Sequence, residues 1–211
     1  MQIILHGTEV AKQELLLKAP PITTVHYVPS IQNFLDYPKA EAYIDLSFEN
    51  DKNTITLLKK LNALVIINSV SDMLVETDPA FIRINGWPGF LETAVIEASF
   101  VQANLKQPAE AVFKELNKIP EWLPDEPGFI TPKVISMIIN EAYFALEQEI
   151  SSKEEIDTAM KLGTAYPYGP FEWAKKIGLN NIVRLLNRLS KEKTRYAPAP
   201  LLVQEALTTK D

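Results

Sequence analysis

The chain has 211 residues, of which 46% are hydrophobic and 23% charged, a balance typical of a globular protein with one large or two small domains. Its formal net charge of -6 argues against a protein that binds nucleic-acid phosphates. The absence of cysteine excludes disulfides and thiolate chemistry, and with only two histidines, His6 and His26, we predict no metal site.

Strand-like and helix-like segments alternate through residue 100. Two helices are predicted between the strands, at Glu9–Lys18 and Asn53–Leu61. This alternation is typical of βαβ units and predicts a compressed Rossmann-like α/β domain with a mostly parallel sheet. The predicted strands are Gln2–Leu5, Thr23–Val28, Ala42–Phe48, Ala63–Ile67, Ala80–Ile84 and Ala94–Ala98.

After Phe100 the pattern becomes helical. Ser151 and Ser152 suit a helix start, because a serine oxygen can cap the free N–H groups, and Gly163 suits the end of that helix. The proline-rich segment Glu121–Pro127 marks a junction, so we predict domains at 1–120 and 121–211, with only the last dozen residues as a tail. The other predicted helices are Pro108–Ile119, Val134–Ile150, Pro170–Ile177 and Asn180–Leu189.

No segment has the pattern of a targeting or membrane-spanning element. Residues 1–20 lack the basic-then-apolar order of a signal peptide, and no apolar run approaches the roughly 20 residues of a membrane span. We therefore expect a cytoplasmic protein with neither a membrane nor a nucleic-acid partner.

A series of motifs runs through the second half of the chain. They are Pro127–Ile130 (PGFI), Ser152–Gly163 (SKEEIDTAMKLG), Tyr166–Glu172 (YPYGPFE) and Tyr196–Leu202 (YAPAPLL). In this order they resemble the 3-hydroxyacyl-CoA dehydrogenase family over residues 127–202, whereas the likeness before them is faint. The family's closing G-x-K-T-G-x-G-F-Y stretch is absent.

The resemblance implies a fold and a function. It implies that an all-α C-terminal domain of the 6-phosphogluconate dehydrogenase C-terminal-like type follows the dinucleotide-binding domain. The resemblance also implies that this helical domain forms a homodimer interface and one wall of an acyl-CoA cleft. The implied reaction is NAD-dependent oxidation of 3-hydroxyacyl-CoA, such as 3-hydroxybutyryl-CoA, in fatty-acid metabolism.

The family's catalytic residues map onto altered positions. Its glutamate matches Glu97, but its histidine position falls on Asn85, which cannot accept a proton near neutral pH. The substrate-carbonyl asparagine position falls on Pro132, and the family's serine corresponds to Ser69 or Ser71. By resemblance the catalytic set is therefore Glu97, Asn85 and Ser69.

The dinucleotide fingerprint is largely missing. Of the G-x-G-x-x-G glycines that follow a first strand, only Gly7 remains, and Glu9 places a carboxylate where phosphates would bind. We therefore expect weak or absent NAD binding, with His6 and Gly7 as the residual candidates. His6 ends the first strand and is either a displaced base or ligand contact, or a polar residue satisfied at a loop mouth.

Two hypotheses follow. One is an NAD-dependent dehydrogenase that works with altered residues. The other is a non-catalytic relative that binds acyl-CoA or another small ligand, or acts as a dimeric interaction protein. The YPYGPFE segment is compatible with substrate contact or with a purely structural helix junction, since its glycines and prolines shape a turn.

Overall fold

The computed structural model describes residues 1–17, 19–20 and 24–209. The protein forms two compact units, Met1–Phe129 and Ile130–Asp211. The first contains a mostly parallel sheet with helices and the second is helical, as the sequence predicts. The boundary lies at residue 129 rather than near the predicted residue 120, because residues 119–122 form a strand of the sheet.

Among the described residues, seven strands make up the sheet of the first unit. Their spatial order is β2-β1-β3-β4-β5-β6-β7, and only β5 and β6 pair antiparallel. The chain places β2 on one side of β1 and β3 on the other, so the strand order reverses between β1 and β3. The strands are β1 Gln2–His6, β2 Thr24–Val28, β3 Ala42–Asp45, β4 Leu64–Asn68, β5 Ile82–Ile84, β6 Val95–Ser99 and β7 Ile119–Trp122.

Helices cover both faces of this sheet, and the alternation of β1 side chains shows how. Ile3 and Leu5 are buried with Leu15 on one face, while Ile4 is buried with Phe34 on the other. Each fully buried aliphatic side chain contributes roughly 1.5–3 kcal/mol, so the two clusters hold the carboxyl ends of the strands in place. The helices are α1 Glu9–Leu16, α2 Lys52–Leu58 and α3 Lys106–Glu115.

Strand β7 corrects the sequence prediction at residues 116–122. The predicted helix Pro108–Ile119 ends at Glu115, and Ile119 pairs instead with Val95 of β6. Pro120 disguises the strand in the sequence, yet proline is tolerated there because β7 lies at the edge of the sheet. Lys18 and Thr23, which two of the predicted elements include, lie outside the described residues.

The second unit contains five helices among its described residues. Helix α8 corrects the prediction of a tail, since Leu202 and Ala206 are buried. The Asn140 side chain holds the start of α8, donating to Ala197 O at 2.9 Å and accepting from Ala199 N at 2.8 Å. The helices are α4 Thr131–Glu147, α5 Lys153–Thr164, α6 Pro170–Ile177, α7 Leu179–Ser190 and α8 Pro200–Thr208.

Across the described parts of the chain, no helix combines the length and the apolar character that crossing a membrane requires.

Candidate functional site

The YPYGPFE segment builds a helix junction. Asp157 of α5 is buried, and its carboxylate accepts hydrogen bonds from Phe171 N at 2.8 Å and Glu172 N at 3.1 Å. These are free N–H groups in the first turn of α6, where a carboxylate also complements the helix dipole. A Cβ on Gly169 would lie 2.3 Å from Asp157 Oδ1, so this contact requires glycine.

The PGFI segment is attached to a buried arginine. Arg83 of β5 is fully buried, and its Nε donates to Asp125 Oδ1 at 2.6 Å. Its guanidinium also donates to Ser69 O at 3.0 Å and to Glu126 O, and it lies 4.2 Å from the centre of the Phe129 ring. Burial lowers the pKa of Arg83, and the Asp125 carboxylate opposes that shift. This network ties the loop after β4 to residues 125–129.

Asn85 and Glu97 meet at the carboxyl end of β5. Asn85 Nδ2 donates to Glu97 Oε2 at 3.0 Å, and Asn85 Oδ1 accepts from Trp87 N at 3.3 Å. Asn85 is 3% exposed, so a carboxamide occupies a buried position beside a carboxylate. The two residues paired in the sequence analysis therefore do lie together.

The predicted catalytic Ser69 and the predicted substrate position Pro132 both lie in contacts that support the fold. Ser69 is buried, and its hydroxyl donates to Asp72 O at 2.9 Å, within the loop that Arg83 holds. Pro132 is buried near the start of α4, where proline fits because the first helical N–H groups need no intrahelical partner. The structure thus gives Ser69 a bond that shapes its own loop.

His6 belongs to a second pair, at the point where the strand order reverses. Its Nδ1 lies 2.8 Å from Asp45 Oδ1, which joins the carboxyl ends of β1 and β3. Sequence reasoning overlooked Asp45, because it stands within an apolar strand pattern. His6 cannot act at the Asn85 position: β1 and β5 are three strand spacings apart, about 14 Å at roughly 4.8 Å per strand.

Asn68 closes the sheet edge between these two pairs. Its Nδ2 donates to Leu46 O at 3.0 Å, and its Oδ1 accepts from Gly86 N at 2.9 Å. A Cβ on Gly86 would lie 2.6 Å from Asn68 Cγ, so the side chain is tightly enclosed. A single asparagine therefore joins the loops that follow β3 and β5.

Comparisons with known proteins show which enzymes the chain is similar to. Residues 128–210 match the family model "3-hydroxyacyl-CoA dehydrogenase, C-terminal domain". A 3-hydroxybutyryl-CoA dehydrogenase of Clostridioides difficile is 28% identical over 93% of this chain and 76% of its own length. The crystal structure of the (S)-3-hydroxybutyryl-CoA dehydrogenase from Ralstonia eutropha is 26% identical, with a TM-score of 0.70 over 87% of this chain and 70% of that one. Residues 128–210 therefore belong to the 3-hydroxyacyl-CoA dehydrogenase C-terminal domain family, and similarity to 3-hydroxybutyryl-CoA dehydrogenases extends over most of the chain.

Within the family, similarity is uneven along the chain. The 3-hydroxyadipyl-CoA dehydrogenase of Escherichia coli is 45% identical, but over only 40% of this chain and 18% of its own length. The chain therefore matches less than a fifth of that longer relative. The stretch from residue 128 onward, which holds the helix-junction motif, is the part that the family model recognises.

The turn after β1 does not fit NAD, the cofactor that this family resemblance implies. A Cβ on Gly7 would lie 2.8 Å from Leu46 Cβ, so protein packing alone requires this glycine. Gly7 O accepts a hydrogen bond from Tyr27 Oη at 2.7 Å, and Glu9 in the first turn of α1 pairs with Lys12 at 3.2 Å. A dinucleotide pyrophosphate needs free backbone N–H groups without a nearby carboxylate. Here the turn at Gly7 is filled by the Leu46 side chain, and the first turn of α1 carries the Glu9 carboxylate.

Proposed function

We propose that this protein is a 3-hydroxyacyl-CoA dehydrogenase-like protein that binds 3-hydroxyacyl-CoA or 3-oxoacyl-CoA esters but converts them very slowly. The observation that carries the proposal is the contact between Asn85 and Glu97 at 3.0 Å, since by resemblance Asn85 occupies the position of the family's histidine. The substrate class is inherited from the family, whose named relatives act as 3-hydroxybutyryl-CoA dehydrogenases.

The chemistry of the pair explains the slow conversion. Oxidising the 3-hydroxyl group requires a base for its proton, and a positioned base is worth about 10²–10⁴-fold in rate. Asn85 already uses its Nδ2 on Glu97 and its Oδ1 on Trp87 N, and a carboxamide has no basic lone pair near neutral pH. The second Nδ2–H and the second Oδ1 lone pair of Asn85 can still hold a carbonyl or a hydroxyl, but neither can take up a proton.

Two measurements on the unmutated protein test the proposal. Calorimetric titration with acetoacetyl-CoA should show saturable binding, whereas NADH oxidation at 340 nm with the same ester should stay far below a median enzyme turnover of about 10 s⁻¹. Turnover near that value would refute the assignment of Asn85. The matched variant is Asn85→His, which restores an imidazole beside Glu97 and should raise the residual rate by at most the 10²–10⁴-fold of a positioned base.

A second candidate function, a dimeric partner protein without turnover, is favoured by exposed apolar side chains on the helical unit. Ile130 and Val134, one turn apart at the start of α4, are 56% and 53% exposed, and Leu162 on α5 is 84% exposed. Large apolar side chains exposed together mark interaction surfaces. Light scattering at micromolar concentration should give a dimer, and Val134→Glu should shift it toward monomer, with Val75→Glu in the first unit, where Val75 is 67% exposed, as the control. A monomer at every concentration would end this proposal.

A further inference from the structure

A small cavity opens at the reversal of strand order between β1 and β3. In open α/β sheets, ligands bind outside the carboxyl ends of the strands at such a point. The cavity has a volume of about 280 Å³ and collects residues from the ends of three strands and the start of α2. Its lining residues are His6, Pro29, Ser30, Ile31, Asp45, Ser47, Glu49 and Thr54.

The His6–Asp45 pair at this cavity is built rigidly. The Asp45 side chain is 2% exposed, and its Oδ1 accepts both from His6 Nδ1 at 2.8 Å and from Ser47 N at 3.1 Å. The His6 ring also packs edge-on against Phe34, with ring centres 6.4 Å apart. A carboxylate that accepts from Nδ1–H fixes the imidazole tautomer, so that Nε2 carries the lone pair.

Nothing within the described part of the protein satisfies that lone pair. His6 Nε2 has no hydrogen-bond partner among residues 1–17, 19–20 and 24–209, while the side chain is 19% exposed to solvent. Because His6 lines the cavity, we infer that this oriented acceptor faces it. It is available to an external hydroxyl or ammonium group.

The charge of the lining selects the ligand. Asp45 and Glu49 supply two carboxylates, the serine and threonine side chains supply hydroxyls, and no described lysine or arginine lines the cavity. Anions are therefore disfavoured, and groups that donate hydrogen bonds are favoured. Drug-sized ligands occupy pockets of about 300–1,000 Å³, so this cavity takes something smaller, well short of a dinucleotide.

We propose that the crevice used for a dinucleotide elsewhere in the family is here a site for a small, non-anionic ligand. That ligand donates a hydrogen bond from a hydroxyl or ammonium group to His6 Nε2. The site is independent of the proposed acyl-CoA function, because it lies about 14 Å from the Asn85–Glu97 pair at three strand spacings.

The two histidines make a direct test practical. In protein with ¹⁵N-labelled histidine, NMR at about pH 8 should show His6 as the Nδ1–H tautomer. Ethanolamine, which carries a hydroxyl and an ammonium group, should shift the His6 Nε2 signal saturably and leave His26 in β2 unchanged. His26→Gln assigns the signals without touching the cavity.

Variants of the two carboxylates complete the design. Asp45→Asn should weaken ethanolamine binding about tenfold or more, because it removes a charge-assisted hydrogen bond. Glu49→Gln, on an exposed residue, should weaken it without affecting folding, and so covers the case that Asp45→Asn unfolds. The proposal is overturned if ethanolamine causes no saturable shift, or if phosphate or NADH shifts His6 at lower concentration. Neither outcome bears on acetoacetyl-CoA binding, so the two proposals fail separately.

Discussion

The residues at positions that the family resemblance singles out have different roles in the two units. In the helical unit, Asp157 and Gly169 lie against each other and close the junction between α5 and α6. At the sheet edge of the first unit, Gly7 packs on Leu46, and Asn85, which we propose to stand at the position of a base, binds Glu97. Residues that hold helices together satisfy a need of the fold itself, whereas a base and a phosphate loop serve only a reaction. The first kind can remain while the second kind changes.

The largest expected effect is a loss of NADH affinity relative to a dinucleotide-binding domain with an intact phosphate loop. Without a backbone cradle the protein forgoes several charge-assisted hydrogen bonds, each worth about 1.5–3 kcal/mol, so we expect a Kd for NADH of roughly millimolar or weaker. Quenching of tryptophan fluorescence from Trp87, Trp122 and Trp173 measures it. A micromolar Kd would mean that the two units do not differ in this way.

Arg83→Leu probes what holds the sheet unit itself. It would leave Asp125 and several carbonyl groups buried without their partner, and breaking such a buried pair costs about 3–5 kcal/mol. Urea unfolding should show this loss. Arg195→Leu, at an exposed position, should change the free energy of unfolding little. Equal effects from the two variants would remove the structural role given to Arg83.

Two glycines of the helical unit form a matched pair. A Cβ on Gly169 meets Asp157 at 2.3 Å, whereas a Cβ on Gly163 meets nothing within 4 Å. Gly169→Ala should therefore destabilise by about 1–3 kcal/mol through overpacking. Gly163→Ala should stabilise by up to about 1 kcal/mol through helix propensity. Thermal unfolding of both variants gives the comparison, and destabilisation of similar size in both would contradict it.

The smallest effect concerns acid stability of the same junction. The Lys161 ammonium and Gly169 N–H lower the pKa of Glu172 from its ordinary value of 4.5. A lowered folded-state pKa contributes stability that is present above pH 4.5 and lost as the pH falls through the folded-state value. Between about pH 6 and 3, Glu172→Gln should therefore lose less Tm than the unmutated protein does. Glu154→Gln should retain the full loss, and an unchanged Glu172→Gln profile would refute this contribution.

Helices and strands could be predicted from the sequence where the residues that specify them are neighbours in the chain. Strand β1 and helix α6 follow from apolar runs and from proline and glycine positions, and both lie where predicted. Strand β7 and helix α8 did not follow, because Pro120 hides an edge strand and Asn140 anchors α8 from 57 residues away. Asn85 and Glu97 were paired through the family's spacing, and the structure places them in contact.

By itself the sequence determined the fold class, the resemblance to 3-hydroxyacyl-CoA dehydrogenases and the absence of the G-x-G-x-x-G glycines, since composition, periodicity and motif spacing can be read along the chain. Only the tertiary structure decided that His6 pairs with Asp45 and that Arg83 holds residues 125–129. It also decided that Gly7 is required because Leu46 packs against it. The physical reason is that a parallel sheet joins strand ends far apart in sequence, so a side chain's partner is set by strand order.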